Sequence, residues 1–253
     1  MFKHQFVAAA LLTALSACAR MNADAPPAVV SVETLIAAAV ADPRRPADEV
    51  ARDDLRKPVA MLAFGGIRPG ARVADIRPEE GYFTRLFAPV VGETGRVYAF
   101  VPTRTAPRET PFAEALAAAY PNVVPLSGPL DSMRFPEPLD AVFMVQEYHD
   151  FHIPAFDTDV NLMNRAVFEA LKPGGLYVVI DHAGRAGTDA NEVQTLHRID
   201  GDFLRAEVEA AGFVFDGQSD ALRNPADDRT INVFDPAIRG RTDQFVYRFR
   251  KPL

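Results

Sequence analysis

The chain predicts an α/β fold, a mostly parallel sheet covered by helices on both faces, and three observations carry that expectation. From Arg72 onward, short apolar runs alternate with segments of helical periodicity, the pattern of strands joined by crossover helices. Residues 72–86, R-V-A-D-I-R-P-E-E-G-Y-F-T-R-L, set an apolar run before a turn and an apolar-periodic helix. Lys172-Pro-Gly-Gly175 then punctuates the entry to a strongly apolar run, Leu176–Asp181. A length of 253 residues suits one such domain with a sizeable core.

The elements follow in order. Ser31 is placed to cap a helix that runs to about Ala41, where Pro43 and Pro46 stop it. A second helix is expected over Ala47–Phe64, with Pro58 as a kink or boundary. Strands are expected at Arg72–Ile76, Arg96–Val101, Asn122–Leu126, Leu139–Val145 and Leu176–Asp181. The intervening helices are Gly81–Val91, Pro111–Tyr120 and Val160–Leu171. A further helix, Gly201–Ala211, leads to a sixth strand that begins at Phe213. Gln244–Arg250 alternates apolar and polar residues and closes the sheet as an antiparallel strand.

The N-terminus reads as an export signal. Phe6–Leu15 is an apolar stretch of signal-peptide length, and Leu15-Ser16-Ala17-Cys18 resembles a bacterial lipobox whose cysteine is acylated after cleavage. Residues 1–17 are therefore the expected signal peptide, and 18–31 an Ala- and Pro-rich lipidated tether. A single domain follows over 32–253, with N-terminal helices at 32–66 and the core at 67–253. The expected location is the periplasmic face of the cell envelope, as an exported lipoprotein held to the membrane by Cys18. Cleavage after Ala19, without lipidation, is the other reading. Cys18 is the only cysteine, so no disulfide forms within the chain. With a formal net charge of −7 and scattered arginines, nucleic acid is not an expected partner.

Three segments resemble the class I S-adenosylmethionine-dependent methyltransferases, and the likeness covers roughly residues 59–253. They are Val73-Ala-Asp-Ile-Arg-Pro-Glu-Glu-Gly-Tyr-Phe-Thr84, Leu139-Asp-Ala-Val-Phe-Met-Val-Gln-Glu-Tyr-His149 and Ala170-Leu-Lys-Pro-Gly-Gly-Leu-Tyr-Val-Val-Ile-Asp181. Asp181-His182, Gly187-Thr-Asp189 and Arg239–Phe245 further resemble a bacterial group of exported methyltransferases. The resemblance implies a Rossmann-like three-layer sandwich with a seven-stranded sheet and an N-terminal helical extension. It also implies S-adenosylmethionine as cofactor and methyl transfer to a small-molecule substrate. Carried onto this chain, the cofactor residues are Asp75 at the end of strand one, then Arg77, Gly81 and Tyr82 in the loop. Gln146 and Glu147 complete the set at the end of strand four.

Two departures from the family pattern stand out. Arg77 and Glu79 occupy positions where glycines let the backbone approach a ligand, and only Gly81 remains. The second strand ends Tyr98-Ala-Phe-Val-Pro102, without the acid that the family uses for ribose hydroxyls. An exported non-catalytic envelope protein that reuses the fold as a binding module is therefore the alternative reading. Arg77 is also placed to pair with Glu79 or Glu80, and Asp75 to cap the next turn or pair with Arg77.

His149 and His182 are the candidate catalytic bases, since both lie just past strand ends and histidine titrates near neutrality. His149-x-x-His152 beside Asp150 and Asp181 permits a metal set if three groups converge. That spacing is common by chance and no cysteine assists, so no metal is expected. The chain has no G-x-S-x-G elbow and no P-loop.

Overall fold

A computed structural model describes residues 30–253. The expected signal peptide, the lipobox at Cys18 and nearly all of the tether lie outside the described residues. Ser31 caps α1 (Val32–Val40), its hydroxyl accepting from the Thr34 amide at 3.2 Å. The single helix expected over 47–64 is three short ones: α2 (Ala47–Val50), α3 (Asp53–Arg56) and α4 (Pro58–Phe64). Pro58 dictates the last break, because proline at a helix start pushes the preceding residue out of the right-handed helical region. Lys57 accordingly sits at φ +46°.

The alternation then runs β1 (Arg72–Ile76), α5 (Tyr82–Val91), β2 (Arg96–Pro102), α6 (Ala106–Ala119), β3 (Val123–Gly128), β4 (Leu139–Val145), α7 (Val160–Ala170) and β5 (Leu171–His182). After it come α8 (Ala190–Leu196), α9 (Gly201–Ala210), β6 (Val214–Ser219) and β7 (Gln244–Arg250). Three differences from the sequence reading have local causes. Helix α6 starts at Ala106 rather than Pro111, because Pro107 takes the first turn and Pro111 is carried inside. Strand β5 starts at Leu171, with the Lys-Pro-Gly-Gly turn absorbed as a register shift between Leu139 and Ala141 of β4. Helix α8, short and weakly apolar, has no counterpart in the sequence reading.

The seven strands order as β3-β2-β1-β4-β5-β7-β6, with β1 to β5 parallel and β7 antiparallel to both neighbours. Successive strand residues feed opposite layers. Val73, Ala141 and Phe143 pack with α1, α4, α5 and α6, while Ala74, Val142 and Met144 pack with α7 and α9. That is the expected three-layer sandwich, and its order reverses between β1 and β4. Ligands of open α/β sheets bind in the crevice beyond the carboxyl ends of the strands at such a reversal. No described helix is long and apolar enough to cross a membrane.

Candidate functional site

The loop from β1 to α5 keeps a glycine-type backbone with other side chains on it. Arg77 lies at φ +52°, Glu79 at +50° and Gly81 at +93°. Each left-handed L-residue costs about 1–2 kcal/mol, so something must hold these two. Arg77 is held at both ends. Its amide donates to the Phe100 carbonyl at 2.8 Å, and its guanidinium reaches Glu147, Glu109 (3.3 Å) and Asp150 (3.2 Å). The expected partner Glu79 is only a 3.9 Å contact, and Glu80 makes none with it. Arg77 thus points inward across the loop, not along it.

The ionisation of this cluster follows from one cation serving several acids. Burial drives the Glu147 carboxyl well above its ordinary pKa, with Glu79 and Asp150 adding to it and Arg77 opposing. Burial works against the Arg77 charge as well, but Glu147 and Glu109 outweigh it and keep the guanidinium protonated. Gly81 also has a packing role. A Cβ there would stand 2.4 Å from Leu116, so the glycine lets α5 pass close to α6. Asp75 is buried and accepts from the Thr84 hydroxyl at 2.7 Å, rather than pairing with Arg77. Burial, opposed by that hydrogen bond, raises its pKa to about 7. The Tyr82 side chain turns to the N-terminal helices, donating to Asp53 at 2.6 Å, with Arg56 at 4.7 Å from its ring centroid.

Two clefts flank this loop. One, of about 310 Å³, lies beyond β2 and β3 and is lined by Arg77, Thr103, Thr105, Asp131, Phe151 and Phe156. Carboxylates and hydroxyls are present there although β2 itself ends without an acid. The other, of about 480 Å³, lies beyond β4, β5 and β7 and is lined by Arg52, Arg56, Glu79, Gln146, His182 and Arg239. Gln146, at φ +62°, accepts from Arg56 and donates to Gln244, each at 3.1 Å. Glu147, its neighbour, is buried against Arg77 and does not line this cleft.

The two candidate histidines differ in state. His182 is half-buried, bonded through Nδ1 to the Thr242 hydroxyl at 2.7 Å, and burial depresses its pKa to about 3. It is neutral at pH 7. His149 is buried beneath it with ring centroids 5.7 Å apart, and Asp181 bonds both its Nδ1 (2.7 Å) and its amide (2.8 Å). Burial alone would lower the His149 pKa, but the charges of Asp181 and Asp150 outweigh it and raise it to about 10. With Nδ1 held by Asp181, Nε2 is the nitrogen of His149 left for the base role expected of it, and Asp150 Oδ1 stands 3.1 Å from that nitrogen.

The two histidines of the His149-x-x-His152 spacing do not converge. His152 turns to α9, with its ring 5.4 Å from Phe203 and Nε2 3.0 Å from Glu207 but off the hydrogen-bonding line. His197 takes the vacant position instead, its Nδ1 3.0 Å from Asp150 and 3.3 Å from His149. It follows α8 in a left-handed C-cap at φ +54°. The sequence reading missed it along with that helix. A polar residue between a short helix and the Asp200 cap of α9 was the available signal.

No protein-family model matches the chain, and no curated protein matches it. Solved structures do match it. An S-adenosylmethionine-dependent methyltransferase from Aquifex aeolicus superposes with a TM-score of 0.56 at 18% identity, over 79% of this chain and 92% of that one. The fold is that of the class I methyltransferases. The [4+2]-cyclase SpnF matches at 0.57 and 17% identity, over 88% and 93% of the two chains. The N-methyltransferase NodS from Bradyrhizobium japonicum matches at 0.52 and 12%, over 81% and 97%. A cyclase among these matches illustrates that the fold hosts more than one chemistry.

Proposed function

We propose that this chain is an S-adenosylmethionine-dependent methyltransferase acting on an anionic small molecule. The observation that supports it most is the 77–81 loop. Its backbone keeps left-handed turns at Arg77 and Glu79 between two clefts at the sheet's switch point. The residues fit the cofactor's chemistry: Phe151 and Phe156 offer a wall for a flat base, while Thr103, Thr105 and Asp131 offer partners for ribose hydroxyls. Those residues and the loop over Asp75 would hold the cofactor, which when bound supplies an electrophilic methyl group.

The second cleft is proposed to bind the acceptor. Arg52, Arg56 and Arg239 bring three positive groups to its walls against one Glu79, which favours a carboxylate or phosphate on the substrate. Neutral His182 is anchored at Nδ1 by Thr242, so Nε2 is the nitrogen left to accept a hydrogen bond from an acceptor N–H or O–H. With a pKa near 3 it orients the nucleophile and stores no proton.

The Arg77–Glu147 bridge favours the second reading, a non-catalytic binding module, because it crosses the ground between the clefts. Calorimetry on the full chain separates the two. Micromolar binding of S-adenosylmethionine, weakened at least tenfold by Asp75→Ala in a folded variant, supports the enzyme. A folded chain that takes up no cofactor leaves the module. The N-terminal sequence further supports an exported lipoprotein anchored through Cys18. Membrane fractionation tests this: Cys18→Ser releases the chain, and an unchanged membrane fraction contradicts the anchor.

A further inference from the structure

We propose that His149, Asp150 and His197 form a binding site for a divalent first-row transition metal of the zinc or ferrous type, with Asp181 orienting His149 from behind. The inference does not rest on the methyltransferase reading. Three donor atoms meet in a near-equilateral triangle. His149 Nε2 is 3.1 Å from Asp150 Oδ1, His197 Nδ1 is 3.0 Å from the same oxygen, and the two nitrogens are 3.3 Å apart. Ligands about 2.1 Å from one ion stand about 3.4 Å apart at tetrahedral angles and about 3.0 Å at octahedral angles. The observed edges fall in that interval, so the distances suit one ion about 1 Å above the triangle, in place of the hydrogen bonds that now join the three. Two histidines and one carboxylate would supply one face of the ion's coordination sphere.

The surroundings prepare each donor. Asp181, fully buried, holds His149 Nδ1 at 2.7 Å, which turns Nε2 toward the triangle and supplies the carboxylate–histidine arrangement that sets a ligand's tautomer. Arg77 occupies Asp150 Oδ2 at 3.2 Å and leaves Oδ1 for an ion. Phe234 packs edge-on against the His197 ring at 5.0 Å and fixes its plane. Two chain segments meet in this contact, His197 lying 47 and 48 residues beyond Asp150 and His149.

The test uses the full chain carrying no histidine tag, stripped with chelator and titrated with Co(II) and Zn(II). The proposal expects one equivalent per chain with visible Co(II) d–d absorption, and one equivalent of metal by elemental analysis after reconstitution. His197→Ala is expected to lose binding by about a hundredfold or more, and Asp181→Asn to weaken it about 10–100-fold. His152→Ala and Cys18→Ser are expected to keep one equivalent. The wild-type titration decides by itself if a variant fails to fold. A folded wild-type chain that takes up no Co(II) at about 100 µM overturns the site, as does full stoichiometry in folded His197→Ala.

Discussion

Replacing Arg77 by methionine removes the only cation paired with Glu147 among the described residues, while most of the side-chain volume stays. Breaking one side of a buried ion pair costs about 3–5 kcal/mol, because the partner's charge is left without compensation. The structure assigns nearly all of that cost to Glu147. Glu109 keeps Arg108 at 2.7 Å, and Asp150 keeps His149 and His197 at 3.1 and 3.0 Å. The backbone strain at residue 77 is unchanged in methionine, so it does not enter. A loss of about 3–5 kcal/mol is a large part of the roughly 5–15 kcal/mol that holds a domain folded.

The same argument fixes a pH dependence. Burial holds the folded-state pKa of Glu147 above its unfolded value of 4.5, and without Arg77 the largest influence opposing that rise is gone, leaving the smaller one of His149. A carboxyl whose pKa is raised on folding favours the fold most below its unfolded pKa, and that contribution is lost as pH rises through the folded one. The Arg77→Met deficit is therefore small at pH 5 and full at pH 8. Urea unfolding followed by far-UV circular dichroism at both pH values measures it. Adding Glu147→Gln to Arg77→Met should recover most of the deficit at pH 8. A deficit below about 1 kcal/mol at pH 8, or no recovery in the double variant, would refute the reasoning.

Three further predictions follow from single positions. Gly81→Ala should cost about 2–4 kcal/mol, from the 2.4 Å approach of its Cβ to Leu116 and from φ +93°, and Leu116→Ala should suppress part of that cost in a double-mutant cycle. Glu79→Gly should stabilise the fold by up to about 1 kcal/mol in urea melts, because an exposed left-handed residue with one 3.9 Å ion contact gives up strain and little else; a loss of stability would contradict it. For Asp75, whose pKa rises from 3.8 to about 7 on folding, wild-type stability should fall as pH rises between those values, by at most about 4 kcal/mol, and Asp75→Asn should flatten that slope.

The sheet was legible because the inner parallel strands β1, β2 and β4 are apolar runs buried on both faces, and the β1 and β4 boundaries coincide with the sequence reading. Helices were less so where length or composition gave no period. Helix α8 has seven residues, and the 47–64 segment breaks at a left-handed Lys57 that only the following proline betrays. Within the site, residue identities were visible but their partners were not. Arg77 reaches Glu147 and Glu109, 70 and 32 residues away, and no local pattern encodes such a contact. His149-x-x-His152 looked like a pair because sequence spacing is blind to direction, while the histidine that does meet His149 lies 48 residues on. The left-handed backbone at Arg77, Glu79 and Gln146 was hidden for the same reason: these side chains seldom adopt it without tertiary contacts to hold them.

The central claim, that a cofactor lies between the 77–81 loop and the ends of β2 and β3, is tested most directly by amide hydrogen exchange of the full chain with and without S-adenosylmethionine. The account predicts slower exchange at residues 77–83, 103–105 and 130–131, with smaller change elsewhere. Unchanged exchange at all three segments under saturating cofactor would contradict it.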